Sequence, residues 1–440
     1  MRKQNQTKNT ITCRLAKSHA AYFTVFAALA AFITYFSMYA FRKPFSAGIY
    51  SGFELFEMNY KTVLILSQVL GYMCSKFIGI RVISSMHPKS RIWVLISFIG
   101  IAELFLLLFA FFPYPYGFIF LFFNGLPLGM IWGIVFSYLE GRSVTEILAA
   151  GLSASFIVSS GIVKSVGKWL ILTFHTSEFW MPFLTGLLFL PLFLIGAWML
   201  AKLPPPSLKE IKARNLREPM SASDRKKMTK EIGVALLLLI VVYCFLTAYR
   251  DFRDNFAADM WNELGYTQSS NVFTLTEIPI ALFVLAALGI LYRIKENGKA
   301  VYLNYIIISL GTILIGLSTI LFNTHIIAPY LWAILTGTGV YLAYVPFNSI
   351  LFERIVALLR FKSNAGFLIY LADSFGYLGS IAILLFKNFY ASNISTYKFL
   401  MGIGLYIAPI TVVLMLGSLF LFRKKMQTVK MPVLNPGYTK

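Results

Sequence analysis

The chain has 440 residues, of which 58% are hydrophobic and 13% charged, with a mean hydropathy of +0.72. That balance excludes a soluble domain of this length, which needs far more polar surface to cover its core. The formal charge of +21 points first to nucleic acid. Its placement argues against that reading, because Lys and Arg gather in both tails, in the centre and in alternate short loops.

In chain order, a basic tail (Arg2, Lys3, Lys8, Arg14, Lys17) leads into an apolar run too long for a signal-peptide core. Runs of about 20 apolar residues are what a helix needs to cross roughly 30 Å of hydrocarbon. Backbone amides in lipid must be paired internally, and these runs do not alternate as barrel strands do, so they predict helices. The spans predicted are 20–48, 60–84, 92–112, 117–139, 145–170 and 179–201, then 232–257, 269–292, 301–322, 328–351, 363–387 and 396–422. Between the sixth and seventh lies the longest polar stretch, opening with Pro204-Pro205-Pro206. It divides the chain into two six-helix bundles, 1–203 and 232–440, joined by a linker, 204–231.

Three short patterns recur between the halves. Phe41-Arg42-Lys43-Pro44-Phe45-Ser46-Ala47, leaving span 1, returns as Phe252-Arg253-Asp254-Asn255-Phe256-Ala257-Ala258, leaving span 7. Ala150-Gly151 with Ser159-x-Gly161 matches Ala365-Gly366 with Ser374-x-Gly376, and Leu139-Glu140-Gly141-Arg142 faces Leu351-Phe352-Glu353-Arg354. The offsets, 211, 215 and 212, agree at corresponding spans. Such parallel repeats related by an axis along the membrane normal predict an all-α polytopic protein of the major facilitator type, with twelve transmembrane helices in two pseudo-symmetric halves.

No Walker loop, Gly-x-Ser-x-Gly elbow or His-Glu-x-x-His helix is present. Cys13, Cys74 and Cys244 form no CxxC pair, and His19, His87, His175 and His325 stand apart near span ends. No cofactor and no metal are expected. The chemistry is sought instead in ionisable residues inside apolar spans, each costing at least about 2.5–3.5 kcal/mol at mid-bilayer unless paired or functional.

Arg42 and Arg253 occupy equivalent places on spans 1 and 7, and a guanidinium fork suits an anion. The counter-reading is an interfacial anchor, since Arg42 lies about 33 Å along a helix counted from Ala20. Lys76 in span 2 either joins them or snorkels to the interface. Tyr39, Asn124, Trp132, Tyr249, Tyr341, Tyr344 and Asn348 are candidates to line the cavity or to pack between helices. Lys43, Lys164, Glu277 and Asp373 form a gating or coupling set. In the gate read from helix register, Lys164 pairs with Glu277 between spans 5 and 8, and Lys76 with Asp373 between spans 2 and 11. Glu277 or Asp373 would carry a proton if one is coupled.

Tyr39-Ala40-Phe41-Arg42-Lys43-Pro44-Phe45 resembles the span 1 signature of the organophosphate:phosphate antiporter family, a branch of the major facilitator superfamily. Gly71-Tyr72-Met73-Cys74-Ser75-Lys76-Phe77-Ile78 is similar to its span 2, and Phe375-Gly376-Tyr377-Leu378-Gly379 to its span 11. The resemblance implies that Arg42, Arg253 and Lys76 clasp a phosphate. The chain departs from that family in having Phe156 where the family has a histidine, and Gly79-Ile80-Arg81-Val82-Ile83 without the usual acid after span 2. These departures suggest a divergent bacterial branch.

The resulting expectation is a monomeric inner-membrane secondary transporter, an antiporter by that resemblance, for a small organic anion, with both termini cytoplasmic. The rival readings are a membrane sensor on the same fold and a lipid-handling transporter. The Lys/Arg asymmetry sets the topology prediction. A reporter fused after Lys440 is active if it works in the cytoplasm and silent if it needs the outside; the reverse result rejects the twelve-span reading.

Overall fold

The computed structural model describes residues 10–87, 90–139, 145–205, 222–358 and 365–430. Glu140-Gly141-Arg142, the Arg81 side chain, linker residues 206–221 and the tails 1–9 and 431–440 lie outside the described residues. Twelve helices among those described are long and apolar enough to span a membrane. Spans 1–6 are Ala20–Phe41, Tyr60–Gly79, Arg91–Phe111, Gly117–Leu139, Ser155–Phe174 and Met181–Ala201. Spans 7–12 are Ile232–Asn255, Val272–Leu291, Asn297–Asn323, Pro329–Leu358, Phe367–Phe389 and Thr396–Lys424. The span 7 helix starts at Ala222, inside the stretch read from sequence as linker, because nothing in Ala222–Glu231 breaks a helix.

Spans 1–6 pack mainly among themselves, as do spans 7–12; span 5 on span 8 and span 2 on span 11 join the two sets. Leu104, Leu188, Trp198, Leu282, Phe283 and Phe420 are exposed, which suits side chains whose solvent is hydrocarbon. Twelve crossings return the chain to its starting side, called here the linker side. The opposite, far side carries a hairpin of Glu54–Leu55 paired with Met58–Asn59.

Helix association in lipid depends on close packing, since lipid tails are as apolar as the side chains. Spans 2 and 4 approach through small residues: a Cβ on Gly71 would fall 2.0 Å from the Phe122 carbonyl oxygen, and one on Gly125 2.5 Å from that of Gln68. These two helices meet backbone to backbone.

Two local departures from α-helix position the site. Span 1 is α-helical over Ala20–Met38, tightens to a 3-10 turn over Tyr39–Phe41, and reforms as a second over Pro44–Ala47. Pro44 has no N–H to continue the helix and its ring crowds the preceding turn, so the continuous helix 20–48 expected from hydropathy does not form. Asn124 donates through Nδ2 to the carbonyls of Phe41 (3.0 Å) and Ala102 (2.9 Å), while Gln68 donates to the Arg42 carbonyl (2.9 Å). The carbonyls left over by the broken helix are thereby satisfied. Asn124 is fully buried in this role and lines no cavity. In span 10, Pro346 is followed by a π turn over Phe347–Leu351, a distortion common at functional sites.

The span 2–span 4 contact gives a direct test. Gly125→Ala forces backbones apart and should cost about 1–3 kcal/mol, lowering the melting temperature in detergent. Gly100→Ala, where nothing lies within 4 Å, should be neutral or slightly stabilising.

Candidate functional site

The 3-10 turn carries Arg42 inward. Its guanidinium lies 3.8 Å from the ring centre of Tyr72 and 5.9 Å from that of Tyr39. Tyr72 is twelve residues into the span 2 helix from Tyr60, about 18 Å below its far-side end. Arg42 therefore sits at mid-depth, and the chain beyond it runs on through Tyr50 to the hairpin before span 2 begins. Among the described residues Arg42 makes no ion pair, and its Nε is buried without an acceptor.

Lys76, one turn below Tyr72, lies 3.6 Å from Asp373 Oδ2 of span 11, and 5.3 Å and 6.0 Å from the ring centres of Tyr72 and Trp132. The pair between spans 2 and 11 expected from helix register is thus present. Tyr243 donates to the other Asp373 oxygen and accepts from Asn348 Nδ2 (3.0 Å). It also stacks on Tyr344, hydroxyl to hydroxyl at 2.9 Å. Asn348 belongs to the π turn, whose extra residue aims its amide at span 7.

Span 7 supplies a cation that the sequence reading passed over. Arg250 lies 3.9 Å from the ring centre of Tyr344 and pairs with Asp251 at 2.6 Å. Ser380 of span 11 donates to the second Asp251 oxygen (2.7 Å). Arg42 and Arg250 both lie within electrostatic reach of Tyr39 and Tyr377. Both guanidinium groups thus lie near the junction where Tyr72 and Tyr377 (ring centres 5.4 Å apart) meet from opposite bundles.

Arg253, the expected partner of Arg42, is turned into its own bundle. Its Nη1 holds Glu277 Oε1 at 2.8 Å and its Nη2 donates to the Ala333 carbonyl at 3.0 Å. The cause is local. A 3-10 turn advances 120° per residue and an α-helix 100°, and Arg253 follows continuous α-helix where Arg42 follows a 3-10 turn. Three residues so wound shift direction by about 60°, so equal sequence positions no longer point alike. The offset of 211 hid Arg250, one near-turn earlier, although its adjacent Asp251 was a visible sign.

The expected Lys164–Glu277 gate pair does not form. Lys164 Nζ instead donates to Asp254 Oδ1 (2.6 Å) and to the Asp254 carbonyl (2.8 Å). Gly161 brings spans 5 and 8 so close that a Cβ there would meet Glu277 Cβ at 2.8 Å. The Glu277 stem is pinned against span 5 and its carboxylate turns away to Arg253. Lys43 also pairs with Asp254 and donates to Asn255 Oδ1 (2.8 Å). Ser160 is a further donor to Asp254, and nearer the far side Lys61 pairs with Asp259. Thr274 donates to Ser165 at 2.7 Å. These cross-bundle contacts close the far side.

Two other expected lining residues are packing residues. Tyr249 is fully buried, and its hydroxyl points at Gly404 of span 12, where a Cβ would lie 3.3 Å away. Tyr341 is buried against Phe156 of span 5, ring centres 6.0 Å apart, in the interface between the bundles.

The sequence profile of a family of unknown function, DUF5690, matches residues 44–425. The chain belongs to that family. No curated protein matches the DUF5690 chain. Its structure is similar to that of a D-xylose-proton symporter, with a TM-score of 0.60 and 12% identity, over 92% of this chain and 97% of that one. It is equally similar to the nucleoside transporter NupG, with a TM-score of 0.60 and 14% identity, over 91% and 99% of the two chains. The fold is thus the twelve-helix major facilitator fold.

A double-mutant cycle checks the rerouted pairing. Lys164→Met with Asp254→Asn should show a coupling of about 0.5–3 kcal/mol in unfolding experiments, and Lys164→Met with Glu277→Gln should be additive within about 0.5 kcal/mol. Coupling to Glu277 and not to Asp254 would restore the original gate.

Proposed function

We propose that this chain is a secondary transporter for a small organic anion, working by alternating access between two bundles, 1–203 and 232–440, joined by the linker 204–231. The observation that carries this reading is Arg42, held at mid-depth on the face of Tyr72 with no acidic partner. A cation–π contact contributes about 0.5–1 kcal/mol when exposed and about 2 kcal/mol or more when desolvated, against at least about 2.5–3.5 kcal/mol for holding an arginine at mid-bilayer. An anion accepting the guanidinium fork supplies the balance. Lys76 and Arg250 stand by, each already matched to a carboxylate, so substrate competes with Asp373 or Asp251 for them. That competition links binding to the contact between spans 2 and 11.

A phosphate ester is the form of anion that the organophosphate antiporter resemblance favours, through Arg42 and Lys76, with Arg250 taking the place first given to Arg253. In this reading the protein is a monomer in the bacterial inner membrane with both termini and the linker cytoplasmic, and the closed far side is the outer one.

Purified protein in liposomes, screened against sugar phosphates and sugar acids, should accumulate at least one of them. Arg42→Lys should cut that uptake about 10–100-fold, because a point charge replaces a fork worth roughly 1.5–3 kcal/mol. Arg253→Lys should act through stability. Binding without any flux would favour a sensor, and unchanged uptake by the Arg42→Lys protein would reject the site.

A further inference from the structure

Four carboxylates in the spans have a cation in contact: Asp251 with Arg250, Asp254 with Lys43 and Lys164, Glu277 with Arg253, and Asp373 with Lys76. Among the described residues Glu103 has none. It lies twelve residues into span 3 from Arg91, about 18 Å from that end. It is 8% exposed, and both carboxyl oxygens are buried with no hydrogen-bond partner.

The surroundings cannot supply a counter-charge. Span 3 packs against span 4, span 6 and the 3-10 turn Tyr39–Phe41. Span 4 carries no charged residue over Gly117–Leu139 and one titratable group, Tyr138, at its linker-side end. Span 6 carries no titratable residue over Met181–Ala201, and the turn offers only the Tyr39 phenol. The nearby Thr185 hydroxyl is committed to the Met181 carbonyl at 2.8 Å. The carboxyl rests on Gly186, where a Cβ would fall 2.2 Å from Oε2, so span 6 leaves room for this group and for nothing larger.

We propose that Glu103 is a proton-binding site, holding its proton while spans 1, 3 and 6 stay packed. An ionised carboxylate without a partner costs several kcal/mol in low dielectric, and a buried group escapes that cost by neutralising. The site is wired to Arg42. Asn124 Nδ2 joins the carbonyl of Ala102, next to Glu103, to that of Phe41, next to Arg42. Phe41 also packs edge-on against Phe193 of span 6. Loss of the proton would place a charge beside the Asn124 junction, which together with Gln68 holds the broken end of span 1. This assignment replaces Glu277 and Asp373 as proton carriers, since both are held by cations. It does not depend on what the central site binds.

The test uses dicyclohexylcarbodiimide, which partitions into the membrane. The protonated carboxyl adds across one N=C bond: its oxygen takes the carbon, its proton goes to nitrogen, and rearrangement leaves a stable N-acylurea with no leaving group. At pH 7, peptide mapping of the full-length protein in liposomes should find the adduct on Glu103, and a water-soluble carbodiimide should leave that peptide unmodified. In parallel, Glu103→Gln has the shape of the neutral acid and no proton to lose, so its melting temperature should gain on the wild type as pH rises. An unmodified Glu103 peptide beside modified exposed carboxyls, or labelling by the water-soluble reagent, overturns the proposal. So does a melting difference that is constant with pH. The labelling of wild-type protein decides the matter even if the variant does not fold.

Discussion

The carboxylate of Asp254 is shared by two ammonium groups from the opposite bundle, and the closed arrangement of the far side depends on that sharing. Neither Lys43 nor Lys164 could be left in the interface alone, because truncating one member of a buried pair typically costs about 3–5 kcal/mol. The converse also holds. Such a pair contributes little net stability when formed, since desolvation offsets most of the attraction. An interface built this way is specific without being strongly adhesive, which suits the alternating access proposed above. Ser165 with Thr274 and Lys61 with Asp259 extend the same seam by contacts of moderate strength.

Around this seam the charges divide by neighbourhood. Arg253 and Glu277 satisfy each other inside one bundle and fix spans 7, 8 and 10 together through the Ala333 carbonyl. Lys76 and Asp373 face each other across the bundles at 3.6 Å, a looser contact than the 2.8 Å of Arg253 with Glu277. Among the described residues Arg42 meets aromatic faces and no carboxylate, and its Nε has no acceptor. Progress from Arg253 through Lys76 to Arg42 is a progress from structural to ligand-ready cation, read from partner distance and partner type.

The fold was legible in the sequence because hydropathy and helix length answer to one constraint, the hydrocarbon thickness. The repeat at offset 211 placed the important stretch of span 7 correctly, and the register of spans 2 and 11 placed Lys76 opposite Asp373. Side-chain direction was not legible to the same degree. It turned on the change from α to 3-10 winding at Met38, on Gly161 admitting span 8, and on the π turn at Phe347. Each is a small change in backbone path that periodicity assumes away. Glu103 was visible as a letter inside an apolar run, but its significance lies in what spans 4 and 6 fail to offer, which requires knowing that they are its neighbours.

The break in span 1 has a mechanical corollary. A 3-10 turn climbs about 2.0 Å per residue and an α-helix about 1.5 Å, so Tyr39–Phe41 is roughly 1.5 Å longer than the same three residues would be as α-helix. The segment is a drawn-out length of chain, anchored at one end by the α-helix that stops at Met38 and at the other by Asn124 and Gln68, which hold the Phe41 and Arg42 carbonyls. Recoiling it would retract the guanidinium along the membrane normal without moving any whole helix. The arginine is mounted on a spring whose two anchors belong to the same bundle.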